Sequence, residues 1–399
     1  MAIEPLFDLA VIIFMAKMFG EFAQRAGLPS VFGEIVGGLV IGPNIYGYFG
    51  AGITSTPFLE EIANVALVIL LFRIGLDVNM RKLVEYGRKA IIISLTGVIL
   101  TFFIGYLWGW TGIGIPAGDM RRNIVLGVIL TASSIGISAR ILADLETIDM
   151  PEATLILESA VVDDVLALLV FSLVVSWLAS GTTSVIGLLP VVFRILIFLF
   201  GSIWIGRLVV PVLMVATLDM VTRESALLIG LSLAFFMGVL AEMAGLAAIA
   251  GALIAGILLA ESPRADRIRE RIEPVYNFFV PIFFVMLGIE VDLSNLGSIL
   301  LGGLVITIIA VVSKVVGCGL GAMLSGMSSM SALRIGVGMV PRAEVPLVIA
   351  SIALRLSPPV ISREIFSITV VMTITTSLVA AVLLKWVFEP QDTSPPHWG

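Results

Sequence analysis

Long apolar stretches separated by short polar ones dominate the chain. Runs of Leu, Ile, Val, Ala, Phe and Gly, most of them near the roughly 20 residues a helix needs to cross the hydrocarbon core, lie near 6–26, 30–48, 59–78, 90–112, 122–145, 153–178, 185–215, 223–243, 246–261, 272–291, 298–324, 330–355 and 364–388. The pattern predicts an all-α polytopic membrane protein with about thirteen transmembrane helices. The stretches 30–48 and 246–261 are the short, Gly-rich ones. Because the apolar runs are continuous rather than alternating, a transmembrane β-barrel is excluded. The longest hydrophilic connection is ESPRADRIRERIE at 261–273, too short for a soluble domain. Residues 1–389 therefore read as a single transmembrane domain, and 390–399 as a polar cytoplasmic tail.

Composition agrees and excludes further classes. Hydrophobic residues make up 59% of the 399 and charged ones only 13%, about half the charge of a soluble protein. The formal net charge is −6, with no basic run dense enough for nucleic acid. Cys318 is the one cysteine, so no intramolecular disulfide forms. His397 is the one histidine, which leaves no intramembrane histidine base or metal centre and argues against an enzyme. Glu4 and Asp8 stand where a signal peptide would carry basic residues, so no cleavable signal is expected. With an odd number of spans the termini face opposite sides. Placing the N-terminus outside puts Arg25, Arg81, Lys82, Arg88, Lys89, Arg223, Arg264, Arg267, Arg269, Arg271 and Lys385 at cytoplasmic ends, as the positive-inside rule prefers.

An internal echo points to a transporter. LFRIGLDVNM (71–80) and VMLGIEVDL (285–293) align on Gly75 and Gly288, matching Leu76 with Ile289, Asp77 with Glu290, Val78 with Val291 and Asn79 with Asp292. The two spans stand seven apart and so cross in opposite directions. Inverted repeats, about 30–178 and 246–388, are expected.

An ionisable group at the bilayer centre costs at least about 2.5–3.5 kcal/mol, which makes each one a functional candidate. Most charges lie at helix ends; the interior ones are Glu158, Asp163, Asp164, Arg207, Lys314, Arg342 and Glu344. In ESAVVDDVLALLV (158–170) two adjacent carboxylates sit well past Pro151, which marks that helix's start. They point about 100° apart, so one can pair with a cation while the other faces a cavity. Lys314, midway along its span, needs a carboxylate partner, and either Asp163 or Asp164 could serve. Two spans are helical by length but broken by composition: one by LTASSIGIS (130–138), the other by Pro341 and Pro346 around Arg342 and Glu344. Such breaks are tolerated where protein or water satisfies the freed carbonyls, and half-helix ends there can bind ions.

Together these residues resemble the monovalent cation:proton antiporter superfamily, in the branch of bacterial sodium/proton antiporters with an NhaA-like fold. The resemblance covers nearly the whole chain and is carried by Asp163–Asp164 with Lys314, by the broken segments Thr131–Ser134 and Pro341–Glu344, and by LFRIGLD and MVPRAEVPLVIA. It implies two discontinuous crossing helices, a homodimer in the cell membrane and an elevator-like cycle. By it, Asp164 would carry sodium and proton in turn, and Asp163 would pair with Lys314. Beside the resemblance, the residues themselves suggest that backbone carbonyls near Thr131 and Ser133, with water, could supply further oxygens to the cation. A Glu158–Arg342 ion pair, known from a second branch, is one residue out of register here. No cofactor is implied beyond the transported ions, and no nucleotide-binding regulatory domain is expected after the last span. A potassium/proton antiporter of the same family, or a sodium-coupled symporter of organic solutes, stays open as an alternative.

Overall fold

The computed structural model describes residues 4–43, 53–54, 56–77, 87–180, 185–216, 224–244, 246 and 248–388. Val78 and Asn79 of the echo, Arg81, Lys82 and Arg223 among the cytoplasmic cations, residues 44–48 of the second span, and the tail lie outside them. The described residues are all helical or irregular, with no strand among them. The helices are α1 (Glu4–Arg25), α2 (Ser30–Ile41), α3 (Pro57–Asp77), α4 (Gly87–Thr111), α5 (Met120–Ile129), α6 (Ile135–Asp144), α7 (Pro151–Ser180), α8 (Val185–Ala216), α9 (Ser225–Met243), α10 (Ala248–Ala260), α11 (Ala265–Glu290), α12 (Leu296–Leu324), α13 (Ser329–Gly338), α14 (Glu344–Arg355) and α15 (Arg363–Phe388). Among the described residues α4, α9, α11, α12 and α15 are long and apolar enough to cross a membrane by length and composition.

The helices pack as two bundles. One joins α1, α2 and α3 to α8, α9, α10 and α11; the other joins α4 through α7 to α12 through α15. The α7 helix touches α8 and α10 across the seam between them.

Glycine sets two closest approaches in the first bundle. A Cβ on Gly75 of α3 would collide with the Leu253 carbonyl and crowd Gly256 of α10; one on Gly288 of α11 would collide with the Ile35 carbonyl and crowd Gly38 of α2. Gly75 and Gly288 are the two glycines on which the echo aligns. Each lets the backbone of its helix meet another glycine face.

The two broken spans are built alike. Asp119 caps α5 by accepting from the Arg122 backbone N–H at 2.9 Å, and Ser328 caps α13 by accepting from that of Ser331 at 3.2 Å, each satisfying one orphan donor of a helix start. The helix then stops at Ile129 in one span and at Gly338 in the other, and resumes at Ile135 and Glu344. Pro341 removes a donor from the second break. The run Thr131–Ser134 diverts the first, because hydroxyls compete for local carbonyls.

The α11 helix starts earlier than the apolar pattern predicts, at Ala265 rather than near 272. In its second turn Arg269 donates to the Leu76 carbonyl at the neighbouring end of α3.

Candidate functional site

The breaks meet at the centre of the second bundle. The Ser134 backbone N–H donates to the Pro341 carbonyl at 2.7 Å. Ser133 Oγ donates to Met339 O at 2.9 Å and Ser138 Oγ to Gly338 O at 2.8 Å. Thr131 Oγ1 donates to Val128 O at 2.7 Å. Each break thus satisfies carbonyls left over where α5 or α13 ends.

Arg342 completes the crossing. Its Nη2 donates to Leu130 O at 2.5 Å and to Ala310 O at 3.5 Å, and its Nη1 to Val340 O at 3.3 Å. A permanent cation therefore sits where the negative ends of α5 and α13 converge, while Glu344 occupies the first turn of α14, where the dipole favours an anion. The Arg342 guanidinium is directed at these carbonyls, and among the described residues no ion pair joins it to Glu158, the partner suggested from the sequence. Arg207 of α8 faces outward, with its side chain 60% exposed, and lies 3.7 Å from Glu261.

Beside the crossing, α7 presents its two aspartates. At 1.5 Å per residue they lie about 18–20 Å from the helix start. Asp163 and Lys314 are fully buried, and Lys314 Nζ donates to both carboxylate oxygens of Asp163, at 2.7 and 2.8 Å. Asp164 is 5% exposed, and its Oδ1 is buried without a hydrogen-bond partner among the described residues.

Asp164 lines a cavity of about 400 Å³ between the bundles. On its own side the wall is Val161 and Val165 of α7, with Ile135, Gly136 and Glu344 from the starts of the two resumed half-helices. The opposite wall is Arg73, Ile74 and Asp77 of α3, with Glu273 and Tyr276 of α11. Thr131 and Ser133 are buried behind the break and do not line this cavity. Among the described residues no cluster of three His, Cys, Asp or Glu side chains could hold a metal ion.

Arg73, Asp77, Glu273 and Glu34 escaped the sequence reading. The first three sit near helix ends, where charge reads as interfacial, although Arg73 and Asp77 fall within the echo itself. Glu34 is 6% exposed on α2, hidden in a stretch read only as short and Gly-rich.

Crossed broken helices around a buried carboxylate pair define the class as a secondary transporter of the membrane. The chain matches the family described as sodium/hydrogen exchangers, transmembrane, over residues 10–389. It is 33% identical to the Na(+)/H(+)-K(+) antiporter GerN of Bacillus cereus over 98% of each chain. It is also 33% identical to the high-affinity Na(+)/H(+) antiporter NhaS3 of Synechocystis sp., covering 96% of this chain and 90% of that one. Among solved structures, the sodium proton antiporter MjNhaP1 from Methanocaldococcus jannaschii shares the fold, with a TM-score of 0.77 over 96% of each chain at 16% identity. The chain belongs to the sodium/hydrogen exchanger family: it is a cation/proton antiporter of the membrane, not an enzyme.

Proposed function

We propose that a sodium ion and a proton compete for Asp164, and that Asp163 stays ionised as the partner of Lys314. One observation carries this reading. Asp164 keeps a buried oxygen without a partner among the described residues and faces a cavity, whereas both oxygens of its neighbour are held by Lys314. An ionised carboxylate at that depth is costly while it is bare. A proton or a small cation relieves the cost, and either can be exchanged through the cavity. If only the loaded forms cross, the two fluxes are coupled without ATP. Thr131 and Ser133 already give their hydroxyl hydrogens to carbonyls, so their oxygen lone pairs are free to join a cation that moves inward from Asp164.

In the same reading the fifteen described helices make thirteen spans, with α5 and α6 forming one and α13 and α14 another. The inverted repeats are about 30–178 and 246–388, supported by the matched glycine approaches of α3 on α10 and α11 on α2. The N-terminus is outside and the C-terminus inside the cell membrane, by the bias of basic residues. Residues 1–389 are one transporting domain, with a cytoplasmic tail after it. The second bundle, carrying Asp164, moves against the first, through which two copies form a homodimer.

Proteoliposome exchange with sodium, lithium and potassium, at clamped and unclamped membrane potential, tests cargo and stoichiometry together. Sodium should dissipate an imposed pH gradient with the native chain and fail to do so with Asp164→Asn. Dissipation by that variant on adding sodium would overturn the assignment. Potassium as cargo is the second reading, favoured by the relative GerN, whose name includes it; potassium exchange with the same dependence on Asp164 would establish it.

A further inference from the structure

One basic side chain, Arg73 of α3, lines the cavity that Asp164 faces. An arginine sharing a cavity with a bare carboxylate is a built-in competitor for any cation that arrives there. Its guanidinium is always charged and its fork matches a carboxylate.

Arg73 is nevertheless held elsewhere, from two sides. Its Nε donates to Glu273 Oε1 of α11 at 2.9 Å, and its Nη2 lies at the same distance from that oxygen. Its Nη1 contacts Asp77, one turn further along α3. Arg269 steadies this corner: its Nε donates to the Leu76 carbonyl at 2.8 Å and lies 3.8 Å from Asp77. The same construction recurs at the far end of α11, where Glu290 holds Arg355 of α14 at 2.8 Å. Glu290 is the residue that the echo aligns with Asp77. In each half, then, the acid two places after the echo's glycine restrains an arginine.

We infer that Asp77 and Glu273 are positioning residues for exchange: they pin the Arg73 guanidinium to the cavity wall and keep a tethered cation off Asp164. This rests on Asp164 being the exchange site. Without the two carboxylates the guanidinium is free to turn into the cavity. As a group on a short tether its effective concentration is on the order of millimolar or higher, enough to compete with sodium. Such competition raises the sodium concentration needed and leaves the maximal rate intact, because saturating sodium displaces the arginine.

The test is sodium-dependent proton exchange by the full chain in proteoliposomes, with sodium varied at fixed pH. Asp77→Asn with Glu273→Gln should raise the KM for sodium about tenfold, with the maximal rate close to native. Adding Arg73→Gln should return the KM to within about twofold of native, a rescue that a purely structural role of the carboxylates would not give. An unchanged KM in the double variant overturns the inference, and so does a triple variant as impaired as the double. Thermal melting reports whether each variant folds. If the double variant does not, Glu273→Gln alone takes its place, with a smaller rise and the same required rescue by Arg73→Gln. Asp164→Asn separates the two levels: exchange that survives in it overturns the Asp164 reading, whatever the Arg73 series shows.

Discussion

Asp163 and Asp164 are neighbours on α7, yet the turn of about 100° between them sends one against Lys314 and the other to a cavity wall. The pair on the inner face has its charge balanced and both carboxylate oxygens bonded. Asp164 has neither, and its buried Oδ1 has no hydrogen-bond partner among the described residues. A closed ion pair in a low-dielectric interior is expensive to open, because it leaves an uncompensated charge behind. A carboxylate without a partner is instead ready to accept whatever small cation the cavity supplies. On the proposed reading, the difference between a structural charge and an exchangeable one is made by helix azimuth, not by residue type or depth.

The largest effect that would sharpen this contrast is on stability. Lys314→Ala strands the Asp163 carboxylate and should destabilise the protein by about 3–5 kcal/mol. Asp164→Asn should leave the melting temperature unchanged or raise it, since it removes a charge that has no partner to lose. Thermal unfolding in one detergent compares the two, and a larger loss from Asp164→Asn would break the distinction. Next comes Arg342→Gln, which withdraws a cation from three carbonyls at the crossing. A cost of about 1–3 kcal/mol is expected, with slower exchange because α5 and α13 lose the charge that holds their ends together. The smallest is Ser133→Ala. It removes one hydrogen bond to Met339 O, about 1 kcal/mol in melting. If Ser133 also gives an oxygen to the cation, sodium affinity should fall modestly while proton affinity is kept.

Hydropathy made the all-helical membrane character legible, because lipid demands long apolar runs. The interruptions near 130–134 and 339–343 were legible for a related reason: hydroxyl-rich and proline-bearing segments inside such runs have few alternatives to unwinding. Depth was also readable, which is why Asp163, Asp164, Lys314, Arg342 and Glu344 stood out. Azimuth was not. Glu158 and Arg342 lie at depths that made a pair plausible, but Arg342 turns to the carbonyl ends of α5 and α13, which no sequence spacing specifies. Arg207 shows the same limit: a residue well inside a long apolar run lies on an outward face beside Glu261, which the run does not specify. Arg73 and Glu273 were missed because α11 carries its helix through residues 265–271, so a charge read as interfacial becomes part of the cavity wall.

Proton release on sodium binding to the purified protein tests the central claim most directly. Competition for one carboxylate requires that sodium added to the native chain in weakly buffered detergent solution releases protons, and that Asp164→Asn, folded by its melting curve, releases none. Proton release that persists undiminished in Asp164→Asn, or sodium binding by the native chain with no protons released, would contradict it.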